Sequence, residues 1–352
     1  MAVRTEPEVG PRSRMRPPGI EIRFSRPGDI EGVNCLYNDP AARPGAAARG
    51  YVPRTEAQWS WEYSVPAEGR PAYTVATHAG RVVGTQAYIP IELLVDGAIV
   101  RSGKDEDTLI QPAYRGMGLL DDMYRLLFGR AADDDVAVLW GFTTTAVRPL
   151  LRNGYHSLGR FEAMQAEVAA AGGGDAPAEV MVREITAPDE QCDRFSLEFG
   201  RWIGGITVHL SAKYLRWRVY DNPYRSSRVF GAWVGGDLAG LGVFKLDDPS
   251  GMGYVSELAA FPAGSTDVGT ILWALTGPGM QAFRHRGYRR AEARFPGTHP
   301  FNQQIRSMLV RRGFAALPSE KAAEFLVRPT RSGETPFLAM ESWRLSELMR
   351  EY

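Results

Sequence analysis

The chain has 352 residues, of which 44% are apolar and 23% are charged, as in an ordinary globular protein. Lysine plus arginine and aspartate plus glutamate both number 41, so the formal net charge is zero. This balance argues against a broad basic surface that neutralises phosphates, and we expect no nucleic-acid partner. The length favours two domains over one.

The same sequence indicates a protein of the cytoplasm without a metal. No stretch is apolar for the roughly 18 residues of a transmembrane helix, and the N-terminus lacks the apolar segment of a secretory signal. We therefore expect no membrane partner. Cys35 and Cys192 lie far apart and are expected to be free thiols in a reducing compartment. The five histidines are scattered, and none is spaced from another histidine or a cysteine as metal ligands are.

The elements of the first half follow from hydrophobic periodicity, capping residues and turn residues. Residues 1–19 are charged and proline-rich, which predicts a disordered lead-in. Asp29 is the expected N-cap of the first helix. In chain order the patterns predict a strand at 20–24, helices at 29–39 and 55–64, strands at 72–79, 81–95 and 98–112, a helix at 119–132, an apolar strand at 136–142, a short helix at 146–154, and a final strand or strand pair at 155–168.

Residues 169–180 are rich in Gly, Ala and Pro and predict a linker. After it the order of elements begins again, which suggests that 20–168 and 181–352 are an internal repeat. Trp61 then corresponds to Trp217, and aligning Pro112 with Pro262 places Glu257 opposite Asp107. Two unrelated halves that both mix helices and strands are the alternative.

One segment breaks this repeat. The first half has Arg115-Gly116-Met117-Gly118 between a strand and a helix, where the second half has AGSTDVG with no basic residue. Glycines let an anion approach the backbone closely, and the N–H groups and dipole of a helix N-terminus favour negative charge. Arg115 adds a full charge. The turn therefore predicts a pyrophosphate site, although the spacing is that of neither a P-loop nor a dinucleotide-binding loop.

The stretch IQPAYRGMGL resembles the acyl-CoA-binding signature of the GCN5-related N-acetyltransferase (GNAT) superfamily, with Arg115, Gly118 and Leu120 on its positions. LWGFTTTAVRPLLRNGY at 139–155 resembles the following segment of that family. The resemblance covers 20–168 well and 180–330 as a degenerate second copy. It implies an α+β fold, with a mostly antiparallel central sheet flanked by helices, in two tandem GNAT-like domains.

The resemblance also implies where acetyl-CoA, or another acyl-CoA, would bind. Its pantetheine amides would pair with the strand edge at Leu109 and Ile110, and a backbone N–H near Ile110 would stabilise the oxyanion. Two residues depart from the family pattern: Leu120 replaces a small residue, and Leu150 replaces a tyrosine acid, for which Tyr155 and Tyr114 are possible substitutes. The remaining expected cofactor contacts are Arg115, Gly116, Met117, Gly118, Leu119, Leu120 and Thr143.

The candidate general bases are Asp105, Glu106 and Asp107, because the family often carries a carboxylate on this strand. Strand alternation would place Asp105 and Asp107 on one face and Glu106 on the other. Asp107 is slightly favoured because it lies nearest the cofactor turn, although its counterpart Glu257 equally suggests a shared structural role. An aromatic group on the early helix could line an acceptor pocket, but its helical spacing favours core packing: Trp59, Trp61 and Tyr63.

These observations predict an N-acyltransferase that moves an acetyl or other short acyl group from acyl-CoA to a primary amine of a small molecule or peptide by direct attack. The second half is expected to be catalytically silent and to shape the acceptor site or the surface of a homo-oligomer. Two alternatives remain open. One is a Fem-type aminoacyl transferase, which the intact cofactor turn disfavours. The other is a non-catalytic CoA-binding sensor.

Overall fold

The computed structural model describes residues 14–42, 53–64, 68–171, 177–247, 250–318, 322–331 and 335–350. Most of the predicted lead-in and the glycine run of the predicted linker lie outside these ranges. The described strands are Ile20–Phe24 (β1), Ala72–His78 (β2), Arg81–Val95 (β3), Ala98–Ile110 (β4), Val138–Thr143 (β5), His156–Phe161 (β6), Met164–Glu167 (β7), Met181–Glu184 (β8), Ile206–Val208 (β9), Ser226–Val234 (β10), Asp237–Asp247 (β11), Met252–Ala260 (β12), Arg290–Ala293 (β13), Ala315–Ala316 (β14) and Ala323–Pro329 (β15).

The described helices confirm the predicted helices of the first half to within two or three residues at each end. They are Asp29–Asn38 (α1), Glu56–Ser64 (α2), Leu119–Asp133 (α3), Val147–Arg152 (α4), Glu190–Ile203 (α5), Ala212–Leu215 (α6), Val268–His285 (α7), Pro300–Arg311 (α8) and Glu347–Arg350 (α9). None of the described helices is long and apolar enough to cross a membrane.

The first turn of α1 differs from the prediction. Gly28 occupies the N-cap position, and Asp29 is the first helical residue. The Asp29 carboxylate instead accepts hydrogen bonds from the Arg26 N–H, at 2.6 Å, and from the Arg23 guanidinium, at 2.6 and 2.9 Å. Asp29 therefore holds the end of β1 against the helix rather than capping the helix.

The strands form two sheets. The first has the order β1-β2-β3-β4-β5-β15-β6, with β9 also paired to β3, and the second has the order β14-β7-β13-β12-β11-β10-β8. Among the described strand pairs, β4–β5 and β12–β13 run parallel, and the other pairs run antiparallel. Helices flank both sheets. The predicted α+β class with a mostly antiparallel sheet is confirmed.

The two sheets exchange a strand. β7 precedes the predicted linker, yet it pairs with β13 and β14 in the second sheet. β15 comes from the end of the second half and inserts between β5 and β6 of the first sheet. The predicted boundaries at residues 168 and 181 therefore follow the order of the chain, while the sheets cross them. Such an exchange is not readable from sequence, because a strand pattern specifies its two faces and not its sheet.

A tryptophan pair joins the two halves. The indole rings of Trp61 and Trp217 stack with centroids 5.2 Å apart. The Trp61 Nε1–H donates to the Trp217 carbonyl at 2.9 Å, and the Trp217 Nε1–H donates to the Trp61 carbonyl at 3.2 Å. Corresponding residues of the two halves thus make reciprocal contacts, as across a local two-fold axis. Trp61 is a packing residue and not part of an acceptor pocket.

Candidate active site

The turn between β4 and α3 leaves helix N–H groups available. Gly116 has φ +78° and Gly118 has φ +74°, conformations that glycine adopts without strain. Gly118 is the N-cap of α3, and the Asp122 N–H makes the first helical hydrogen bond, to the Gly118 carbonyl at 3.2 Å. The N–H groups that precede Asp122 in the helix have no partner within it. The turn can therefore receive an anion at a positive helix end.

Arg115 does not point its charge freely at this turn. Its Nε–H donates to the Ile110 carbonyl at 2.9 Å, and its Nη2 donates to the Ala42 carbonyl at 3.3 Å. The guanidinium thus ties the end of β4 to the segment after α1. The Leu119 side chain is buried and that of Leu120 packs on the core, so their backbone N–H groups alone could face an anion.

Residues of the predicted lead-in dock on the turn. The Arg14 N–H donates to the Gly116 carbonyl at 3.1 Å. The Arg16 guanidinium donates to the Met117 carbonyl at 3.2 Å and pairs with Asp122 at 2.6 Å. The prediction of disorder is therefore wrong for residues 14–19. The proline-rich, charged segment has no periodicity that would have indicated this docking.

β4 and β5 diverge next to the candidate carboxylates. Their pairing runs from Ser102 opposite Val138 to Lys104 opposite Trp140 and then stops. Gly141 still lies close to β4, since a Cβ built on it would be 3.0 Å from the Asp105 Cβ. Beyond this point β4 remains paired to β3 alone among the described strands, through residues that include Leu109 and Ile110. Residues 105–110 of β4 are therefore not paired with β5.

A β-bulge overturns the predicted alternation of the carboxylates. The β3–β4 register shifts between Thr85 and Ala87, and Asp107 has φ +56°, a conformation in which Asp is enriched. As a result Asp107 and Glu106 interact electrostatically on the same side of the sheet, and Asp105 lies on the other. The expectation that Asp105 and Asp107 share a face is wrong because the bulge adds a residue to the strand.

Asp107 is held by fixed partners. Nη1 of Arg54 contacts both of its carboxylate oxygens at 2.9 Å, and the Tyr63 hydroxyl also donates to it. Its counterpart in the second half, Glu257, is held in the same way by the buried Arg344 guanidinium and by the Ser346 hydroxyl, at 2.7 Å. A carboxylate bound by a buried arginine thus recurs in both halves. This recurrence indicates a structural role for Asp107.

Asp105 is buried on the face that carries Tyr155. Neither of its carboxylate oxygens has a hydrogen-bond partner among the described residues. Burial raises the pKa of Asp105 to about 8, and Tyr155 and Arg328 act against that rise. The carboxyl group is therefore largely protonated at pH 7, and Asp105 is not among the residues that line the cavity beside Glu106.

Glu106 faces a cavity between the two halves. It forms an ion pair with Lys104. Burial, and the charges of Glu62 and Asp107, raise the pKa of Glu106, while burial and Arg218 lower the pKa of Lys104. The cavity has a volume of about 270 Å³ and is lined by Lys104, Glu106, Phe142, Arg225, Lys245, Glu347 and Arg350. A carboxyl group with a raised pKa thus lines a cavity to which both halves contribute.

The other predicted contacts have structural partners. The Thr143 hydroxyl accepts the N–H groups of Thr145, at 3.2 Å, and Ala146, at 2.9 Å, before α4. Trp59 and Tyr63 line a separate cavity of about 670 Å³ against β1 and β2. β3 separates that cavity's strands from β4. The described residues contain no group of three or more His, Cys, Asp or Glu that could hold a metal ion.

This chain resembles a known protein family in sequence and solved structures in fold. Residues 37–157 match the family model described as an acetyltransferase (GNAT) domain. This match places a GNAT domain in the first half of the chain, and the chain shares its fold with tandem GNAT proteins. No curated protein matches it by sequence.

Solved structures share the fold at low sequence identity. A conserved Enterococcus faecalis protein described as a probable N-acyltransferase has a TM-score of 0.62 at 13% identity, over 88% of this chain and 73% of that one. A tandem GNAT protein from the clavulanic acid biosynthesis pathway has 0.60 at 15%, over 90% and 100%. Saccharomyces cerevisiae N-myristoyltransferase with bound myristoyl-CoA has 0.60 at 14%, over 90% and 81%.

The two halves differ at their helix N-termini. In the second half the Asp267 carboxylate caps α7 by accepting the Thr270 N–H at 3.1 Å. This hydrogen bond and that of the Thr270 hydroxyl lower the pKa of Asp267. The corresponding end of α3 is capped by Gly118, which has no side chain. The described residues of the first half therefore fit the pyrophosphate of an acyl-CoA, whereas a fixed carboxylate opposes it in the second.

Proposed function

We propose that this GNAT protein is an N-acyltransferase that transfers an acetyl or other short acyl group from acyl-CoA to a primary amine. One observation carries the proposal: β4 is paired with β5 only as far as Lys104, and the stretch of β4 beyond it leads from Glu106, which lines the cavity, to the glycine turn that begins α3. An acyl donor that entered from the turn could meet an amine that entered from the cavity. The fold shared with acyltransferases supports acyl transfer in general.

The donor side of the proposal uses backbone groups. The N–H groups at the start of α3 would hold the pyrophosphate, and the strand edge at Leu109 and Ile110 would pair with the pantetheine amides. The Arg16 guanidinium, 3.6 Å from the Cβ position of Gly118, would add positive charge. The bound acyl-CoA would supply the thioester, and the amine would attack its acyl carbon.

The acceptor side assigns the proton transfer to Glu106. An ammonium group loses its proton to this carboxylate, and the free amine then forms the C–N bond to the acyl carbon. The C–S bond breaks, and the CoA thiolate leaves and takes the second proton that the amine nitrogen gives up, so that the products are the amide and the CoA thiol. Sequence comparison of the halves supports this choice over Asp107. The positions of Lys104, Asp105 and Glu106 correspond to the uncharged Tyr254, Val255 and Ser256, so the fold does not require charges there.

The test is acetyl-CoA binding by calorimetry to the wild type, Gly118→Asp and Gly118→Asn. Both substitutions add a side chain of equal size at φ +74°, and Asn and Asp tolerate this conformation. Only Asp adds a negative charge at the proposed pyrophosphate position. We expect Gly118→Asp to bind at least tenfold more weakly than Gly118→Asn. Equal affinities of all three proteins would remove the turn from the cofactor site.

Release of the CoA thiol from acetyl-CoA, measured across a panel of amines, then tests turnover. Amine-dependent release is expected from the wild type. Binding of acetyl-CoA without release for any amine would favour a non-catalytic CoA-binding protein.

A further inference from the structure

The residues that line the cavity beside Glu106 carry more positive than negative charge, and the excess remains when Asp247, which pairs with Arg225 from outside the lining, is included. The lining holds four cationic side chains, and the two carboxylates among its residues are Glu106 and Glu347. This excess of positive charge does not depend on which member of the Lys104–Glu106 pair holds the proton. The two side chains together carry no net charge, whether both are ionised or both are neutral. An ammonium group that entered alone would add a further positive charge to a confined space, which is unfavourable at low dielectric constant.

Three of the four cationic side chains, those of Arg225, Lys245 and Arg350, come from the half that lacks the phosphate turn. Lys245 lies on β11 and is buried, with its ammonium 4.0 Å from the centre of the Tyr254 ring. Arg225 immediately precedes β10, and its Nε is 3.5 Å from Asp247. Glu347 is already paired, with Arg350 at 3.1 Å and Arg294 at 3.4 Å. The first half thus supplies the base, and the second half supplies cations across the cavity from it.

The lining also limits the size of an acceptor. A volume of about 270 Å³ lies at the lower end of small-molecule pockets, which range from about 300 to 1,000 Å³. Phe142 is the apolar residue of the lining. A compact polar molecule therefore fits this cavity better than a long apolar amine or a folded protein.

We propose that the acceptor is a small amine that also carries an anionic group, such as the carboxylate of an amino acid. Its amine faces Glu106 and its anionic group faces Lys245 and Arg225. This inference rests on the proposed acyltransferase function and adds the class of substrate to it. In this arrangement the second half selects the acceptor by its charge.

The experiment compares matched pairs of acceptors in the thiol-release assay. Each pair consists of an amino acid and its amide, in which an uncharged carboxamide replaces the carboxylate. We expect the wild type to prefer the acid member by at least tenfold in kcat/KM, chiefly through KM. Lys245→Met and Arg225→Gln are expected to bring the ratio close to one, and Lys245→Arg to keep most of the preference. Lys213→Met is the control, because Lys213 is an exposed lysine of the same half that does not line the cavity.

The outcomes separate this inference from the proposed function. Acetyl-CoA affinity is expected to be equal in all these variants, which also shows that they fold. Turnover of both members of each pair at the same rate by the wild type would overturn the inference and leave the acyltransferase function standing. Acetyl-CoA binding without turnover of any acceptor would overturn the function itself, and the inference with it.

Discussion

At the scale of single residues, three consecutive acidic side chains have three different environments. Asp105 is buried without a hydrogen-bond partner among the described residues, Glu106 pairs with Lys104 at a cavity, and Asp107 is bound by Arg54. A bulge of one residue and the packing of the second half create these differences. Three carboxylates that look equivalent in the sequence therefore have different chemistry.

We expect Glu106→Gln to lower kcat about a hundredfold or more, because a positioned general base contributes factors of this size. Because the pKa of Glu106 is raised above its ordinary value of 4.5, the wild-type rate should rise with pH through that higher pKa, and the variant should lose this rise. The measurement is the pH profile of kcat in the thiol-release assay, with acetyl-CoA affinity expected to be unchanged.

Asp107→Asn is the matched comparison for that experiment. It removes one of the two carboxylates that pair with the buried Arg54, the other being Glu62 at 3.4 Å, and we expect the free energy of unfolding to fall by about 3 kcal/mol. In the Asp107→Asn protein that remains folded, kcat should still rise with pH as it does in the wild type. A lost pH dependence in Asp107→Asn and a normal one in Glu106→Gln would reverse the assignment of the base.

Asp105 gives a prediction about stability and pH. Its pKa is raised from an ordinary 3.8 to about 8 in the folded protein. Between about pH 4 and pH 8 the folded state therefore keeps a proton that the unfolded chain releases, and stability falls as the pH rises, by at most about 1.4 kcal/mol per pH unit. The Asp105→Asn variant has no carboxyl group at this position, so it should not show this fall in stability as the pH rises.

Urea unfolding of both proteins at pH 5, 6.5, 8 and 9 measures the effect. The stability of Asp105→Asn relative to the wild type should increase up to about pH 8 and then level off. A constant difference over this range would mean that Asp105 is ionised in the fold.

At the scale of elements, the segment before β1 contacts the proposed cofactor turn. Arg16 reaches the start of α3 and pairs with Asp122, which also pairs with Arg125 at 2.7 Å. We expect Arg16→Ala to weaken acetyl-CoA binding about threefold to tenfold, because one charge-assisted contact at a partly exposed position contributes about 1 kcal/mol. The weakening should shrink at high salt, since screening reduces the contribution of Arg16 in the wild type.

Arg125→Ala is the control, because it removes the other partner of Asp122 without touching the Met117 carbonyl. Its side chain is 75% exposed, and its loss should leave acetyl-CoA affinity within twofold. Equal weakening in the two variants would mean that Asp122, and not the docked segment, controls the site.

Elements with local signals could be predicted from the sequence. The hairpin of β2 and β3 follows from alternation and Gly80, and α3 follows from its apolar spacing after two glycines. The bulge at Asp107 could not be predicted, because a strand pattern gives no sign of one residue with positive φ. Arg16 was missed because its contacts depend on a turn about a hundred residues away.

At the scale of the whole molecule, the two halves are intertwined rather than arranged as two separate units along the chain. Each sheet contains a strand from the other half, and Trp61 and Trp217 exchange hydrogen bonds between the halves. The cavity beside Glu106 is built from both halves and needs this arrangement. The glycine turn is present in the first half only, so the molecule combines one proposed donor site with the charged residues that the second half places in the cavity.

The exchange predicts that the halves stay together when the chain is cut between them. A protease site placed at residues 172–176, between β7 and β8, allows the folded protein to be cleaved there. Because β15 would remain between β5 and β6, and β7 beside β13, the two fragments should elute as one species and unfold in a single transition. Size-exclusion chromatography before and after urea measures this. Separation of the fragments in native buffer would mean that the exchanged strands contribute little to holding the halves together.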